Sequence, residues 1–286
     1  MRDLISDNLF SSIEDLVRKS VSELLDSKIP ISLISEPNFV GSLSIAPIEA
    51  SLIDSKSAYR RRIRKRAKNY PNNSIVIENN GEGKGVVWDS ENKILIIGEV
   101  MSPALHGHLG DDKIGPLTTV AISHSIAQII SPSGIYVRRL RPWALSGNWI
   151  HSCMDMTYDP VYTTLKEILT LEGSIRVIPL PEVPSPDVST LDFIDQGALV
   201  AVSSRWSSMG DEGRARSISH LCRSVLNSNS PSTSRLEEIV WNCILAPGWD
   251  SDLASQIRMS SNIWRDKDPV LASCQIIDTL LREGKL

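Results

Sequence analysis

The chain is poor in cysteine, with four in 286 residues, at positions 153, 222, 243 and 274. They are too few and too scattered for a disulfide scaffold, which excludes the small stapled secreted class and favours a reducing compartment. No apolar run approaches the roughly 18–20 residues that a membrane helix needs, so no membrane span is expected. The opening MRDLISDNLF has acidic residues where a secretory leader needs a basic start and a long apolar stretch. No internal repeat is visible, and the frequent serines are spread through periodic segments instead of forming a linker. These absences together point to an intracellular protein, cytoplasmic or nuclear.

Apolar residues make up 41% of the chain and charged residues 22%, globular values that call for a real core in one large domain or two ordinary ones. The net charge of −4 gives no general attraction for polyanions. Local charge does, because RRRIRKRAK at 60–68 carries seven of the thirty Lys and Arg. Clustered cations bind phosphate by releasing counterions. Arg60, Arg61, Arg62, Arg64, Lys65 and Arg66 are therefore the expected contacts with DNA or RNA. The competing reading is a solvated face whose cations suit the C-terminal end of a helix. RRLRPW at 138–143 and SSRWSSMGDEGRAR at 203–216 add arginines beside tryptophans, a pairing that stacks on bases but more often serves a core.

Hydrophobic periodicity and capping signals set the expected elements. Residues 11–27 read as a helix opened by a Ser11/Glu14 capping box. ISLIS (31–35) and FVGSLSIA (39–46) suggest short strands, and 47–68 a helix ending in the basic run. SIVIE (74–78) is a strand, and GVVWD with KILIIGEV (85–89 and 93–100) a β-hairpin. Residues 116–130, apolar on every side, describe a buried helix, and IYVRRL (135–140) a further strand. A helix follows from Pro160, then the strands SIRVIPL and GALVAVSS, and residues 212–283 are mostly helical. The expected fold is α/β: a mixed sheet core with a helix-strand-strand-strand-helix-strand unit, plus a C-terminal helical region. The expected regions are 1–46, an N-terminal helix and short strands; 47–210, the α/β body; and 211–286, the helical C-terminal region.

Two motifs raise the question of metal. ALHGHLGDD at 104–112 places His106 and His108 one residue apart, with Asp111 and Asp112 after them. It resembles the HxHxDH signature of the metallo-β-lactamase superfamily, which would imply a zinc hydrolase. The aspartate comes one residue late, and His124, His151 and His220 do not continue the spacing. A Gly-rich polar loop between a strand and a buried helix is the preferred reading. HSC (151–153) and HLC (220–222) contain four zinc-type ligands, but on a helix His220 and Cys222 point to different faces. A core cysteine beside a basic surface suits the second pair better.

The order helix, three strands, helix, strand, with Glu99 ending the apolar third strand, resembles the PD-(D/E)XK nuclease-like superfamily over about residues 47–140. The resemblance implies a Mg²⁺ or Mn²⁺ site for phosphodiester cleavage. Glu99 matches the acid of the third strand, Gln128 the glutamine of the following helix, and Glu49 the acid of the first helix. Met101 stands where the family has its lysine, and the second-strand aspartate has no counterpart; Glu82 and Lys84 are its nearest neighbours. The implied site is Glu99, Glu82, Lys84 and Gln128, with Glu99 and Glu82 on the metal. The resulting expectation is a nucleic-acid-binding protein, either a divergent metal-dependent nuclease or an inactive one. The alternative is a non-catalytic assembly or regulatory subunit whose partners are proteins or further copies of itself.

Overall fold

The segment ISLIS is buried at every position, as a central strand of a parallel sheet must be. The computed structural model describes residues 1–65, 69–79, 85–106, 112–156, 158–225, 231–265 and 267–286. Its N-terminal half runs α1 (Glu14–Leu25), β1 (Ile31–Ser35), α2 (Phe39–Asp54), β2 (Tyr59–Ile63), β3 (Ser74–Ile77), β4 (Val86–Asp89), β5 (Ile94–Ile97), β6 (Val100–His106) and β7 (Asp112–Leu117). Helices α3 (Thr119–Ile130), α4 (Ile135–Leu140), α5 (Ser146–Ile150), α6 (Cys153–Met156) and α7 (Pro160–Leu171) follow. The C-terminal part comprises β8 (Arg176–Ile178), α8 (Gln196–Ser203), α9 (Asp211–Leu221), α10 (Thr233–Val240), β9 (Cys243–Leu245), α11 (Leu253–Arg265) and α12 (Pro269–Glu283).

The main sheet has the order β2-β1-β3-β5-β4, parallel except for the β4–β5 hairpin. The chain is thus α/β, with a mixed sheet and a largely helical C-terminal region. Because side chains alternate along a strand, the sheet has two unlike faces. Leu33, Ile75, Ile77, Leu95 and Ile97 enter the main core, with α2 and α3 packed together beneath them. Ile34, Val76 and Ile94 form a small second cluster on the other face, with Tyr70 and Ile96 against it.

Four expected elements differ. Residues 39–46 belong to α2, not a strand: Asn38 accepts from the Gly41 amide at 2.7 Å and starts a helix so buried that no polar stripe betrays its period. The basic run lies on β2, not at a helix end, since α2 stops at Asp54 and Lys56 takes a left-handed φ of 56°. IYVRRL is helix α4, so the helix-strand-strand-strand-helix-strand unit closes on a helix in place of its last strand. The cause is a long-range cap, with the Asp54 carboxylate accepting from the amides of Tyr136 (3.3 Å) and Val137 (3.0 Å). GALVAVSS is helix α8, capped by Asp195 on the Ala198 amide at 2.7 Å. The expected 46/47 boundary falls inside α2, and one hydrophobic cluster runs from Leu4 to Leu281.

Candidate nucleic-acid interface

Placing the basic run on an edge strand divides its cations between two faces. β2 pairs with β1 in the register Ser32↔Arg60, Leu33↔Arg61 and Ile34↔Arg62. Arg60 and Arg62 therefore share the face of Ile34 and Val76. Arg64, whose amide continues the pairing to the Ser35 carbonyl at 3.0 Å, lines a narrow crevice with Ile34, Tyr70 and Val76 on that face, next to Lys65. Glu36 and Glu78 border the same crevice, and Tyr70 donates its hydroxyl to Glu78 at 3.3 Å. Among the described residues no carboxylate pairs with Arg60, Arg62, Arg64 or Lys65, and the Nε and one terminal nitrogen of Arg64 are buried without an acceptor.

Arg61 is not part of this set. It points to the core side, 3.6 Å from Glu49 and ion-paired to Asp278 of α12 at 2.5 Å. Glu49 is almost fully buried and accepts from the Tyr59 hydroxyl at 2.9 Å. Burial raises the Glu49 carboxyl above its usual value despite Arg61, and burial together with Glu49 pushes the Tyr59 phenol up to about 12. Glu49 thus ties β2 to α2, and through Arg61 to α12.

At the carboxyl ends of β1 and β3, where open parallel sheets build their sites, Glu36 and Glu78 line the crevice, and Asn38, Asn79 and Thr119 form a neutral network. Asn79 donates to Asn38 at 3.2 Å, Thr119 donates to Asn79 at 2.8 Å, and Ser44 lies 3.0 Å from Thr119. Glu99 follows β5 and is 3.4 Å from His151 Nε2. His151 Nδ1 accepts from the Cys153 amide at 3.1 Å, so the tautomer that presents Nε2–H to Glu99 suits both contacts. The Cys153 thiol bonds Asp159 at 3.2 Å, and burial, then Asp159, pushes it up to about 12. Such a thiol is a poor nucleophile and a poor metal ligand.

Gln128 does not join Glu99. Its amide donates to the Arg2 carbonyl (2.8 Å), while its oxygen accepts from the Leu4 amide (3.1 Å) and Arg141 (2.7 Å). Glu82, Lys84, Arg66, His108 and Asp111 lie outside the described residues. On either side of residues 107–111, β6 and β7 pair antiparallel, with His106 opposite Asp112. Among the described residues no three His, Cys, Asp or Glu converge as metal ligands. Cys222 is buried and His220 exposed, as the helix reading of HLC requires. Trp143 and Trp206 are core residues too, 1% and 4% exposed.

Sequence reasoning missed the Glu99–His151 pair and the neutral network of Asn38, Asn79 and Thr119. No local spacing signals either, because their members come from different strands and loops. No protein-family model matches the sequence, and no curated protein matches it at a significant level.

Proposed function

We propose that the protein binds nucleic acid through the sheet face at β2 and does not cleave it. The observation that carries this reading is the row Arg60, Arg62, Arg64, at alternate positions on one face and without carboxylate partners among the described residues. Same-face positions on a strand repeat at about 6.7 Å, which lets an extended phosphate backbone meet one cation after another. Lys65 extends the row. Non-specific binding of this kind rests on counterion release and carries little base preference. The non-catalytic part of the reading is supported by Glu99 facing His151 and by Gln128 being engaged by Arg2, Leu4 and Arg141.

Fluorescence anisotropy with single-stranded and duplex oligonucleotides, between about 50 and 200 mM salt, tests this. Replacing Arg60, Arg62, Arg64 and Lys65 by Gln is expected to weaken binding and lower the salt slope by roughly 3 units. Arg61→Gln is the contrasting control. It leaves the buried Glu49 charge without its cation, costs about 3–5 kcal/mol of stability, and leaves the salt slope of the remaining folded protein unchanged. A fourfold variant that keeps the parent slope sinks the assignment to β2. Absence of oligonucleotide binding at the lowest salt sinks the whole reading and favours an assembly role. Incubation with Mg²⁺ or Mn²⁺ is expected to leave the oligonucleotides intact, and Glu99-dependent cleavage would refute the non-catalytic part.

A further inference from the structure

The motif RRLRPW is divided by the fold. Arg141 is buried and ion-paired to Glu172 at 2.9 Å, and Trp143 sits in the core with its Nε1 donating to the Gly284 carbonyl at 3.0 Å. Arg138 and Arg139 instead line a cleft of about 680 Å³ between α4, the end of α12 and the loop 246–249. That volume lies within the range of small-ligand sites.

Two arginines line the cleft. Arg138 is exposed and has no ion-pair partner among the described residues. Arg139 packs over the Tyr136 ring at 4.8 Å and bonds the Leu281 carbonyl, but its Nε is buried without an acceptor among the described residues. Two carboxylates line the same cleft, and both are already engaged. Glu172 accepts from Arg141, Ser174 and the Arg2 amide. Burial works against its charge, yet these donors hold its pKa below the ordinary carboxylate value. Glu283 pairs with Arg282 at 2.9 Å. The walls also include bare backbone. Gly173 and Gly248 have φ of 76° and 80°, and a Cβ on either would meet nothing within 4 Å. Pro247 and Trp249 also line it, and the Trp249 indole packs on Trp143 with centroids 5.3 Å apart.

We infer that this cleft binds a small phosphate ester of about mononucleotide size, its phosphate on Arg138 and Arg139 and its planar body against Pro247 and Trp249. Guanidinium pairs match phosphate oxygens in a bidentate geometry that ammonium groups do not reproduce. The apolar wall gives an organic ester an advantage over inorganic phosphate. The inference is independent of the β2 face, which uses other residues on the sheet.

Isothermal titration of the full chain with adenosine monophosphate, adenosine and inorganic phosphate tests it. Adenosine monophosphate is expected to bind saturably, one per chain, and adenosine and phosphate each at least about tenfold more weakly. Arg138→Gln is expected to weaken the nucleotide about tenfold. Ser133→Trp, an exposed position at the rim, is expected to block binding without changing Tm. These two variants avoid Arg139, whose removal disturbs the packing at Gly284. The fourfold β2 variant is expected to bind the nucleotide as the parent does. No saturable heat up to about 1 mM nucleotide, binding unaffected by Arg138→Gln and Ser133→Trp, or binding lost in the β2 variant would each overturn the inference.

Discussion

His124 shows how far a single residue departs from its solution chemistry in this fold. It is 1% exposed on α3, and neither ring nitrogen has a hydrogen-bond partner among the described residues. Burial, reinforced by Arg141, pushes its pKa down to about 3. The folded chain then keeps the imidazole neutral where the unfolded chain takes up a proton. Its contribution is undiminished above the ordinary value of 6.5 and is lost as pH falls from there towards 3. The slope is about 1.4 kcal/mol per pH unit. His124→Leu removes the proton-binding group and strands no partner, so its Tm should fall less than the parent's between pH 6.5 and 4.5. Equal losses in the two proteins would place the acid sensitivity elsewhere.

At the scale of elements, the tight β1–α2 connection makes a second expectation. A Cβ at Gly41 would lie 2.2 Å from Ser35 Oγ and 3.0 Å from the Glu36 carbonyl oxygen. The short serine side chain and the backbone have little room to yield. Gly41→Ala should therefore cost about 1–3 kcal/mol, read as a lower urea midpoint, and an unchanged midpoint would mean that the connection relaxes cheaply. The same segment explains which elements the sequence revealed. β1, β3 and the β4–β5 hairpin were legible from short β-branched runs between turn residues. α7 and α12 were legible because Asp159 and Asp268 cap them from the adjacent position. α4 was not, because its cap is Asp54, far back in the chain. α2 was not, because a helix buried on nearly all sides has no amphipathic period to read.

For the molecule as a whole, the core is shared. Leu4, Leu95, Trp143 and Leu281 belong to one hydrophobic cluster. α12 packs on α2, and Asp278 reaches back to Arg61 on β2. A C-terminal region interleaved in this way should not unfold by itself. Calorimetry should give one transition with equal calorimetric and van't Hoff enthalpies, and two resolved transitions would instead mark an autonomous helical domain. The candidate site was half legible at this scale. The cations were plain in RRRIRKRAK, but their division between faces depends on strand period, and the sequence reading placed them on a helix. Glu99 was found as a residue, but Gln128 is engaged elsewhere, and only the closed fold brings His151 to Glu99.

The position of β2 has one more consequence. It is the outermost strand of the sheet, and among the described residues no strand pairs with its far side. Arg60 and Arg62 put like charges along that border, where a second copy would have to bring its own arginines alongside. The residues assigned to polyanion contact therefore also act as a guard against edge-to-edge aggregation. A polyanion laid along β2 would neutralise that guard while it occupied the strand.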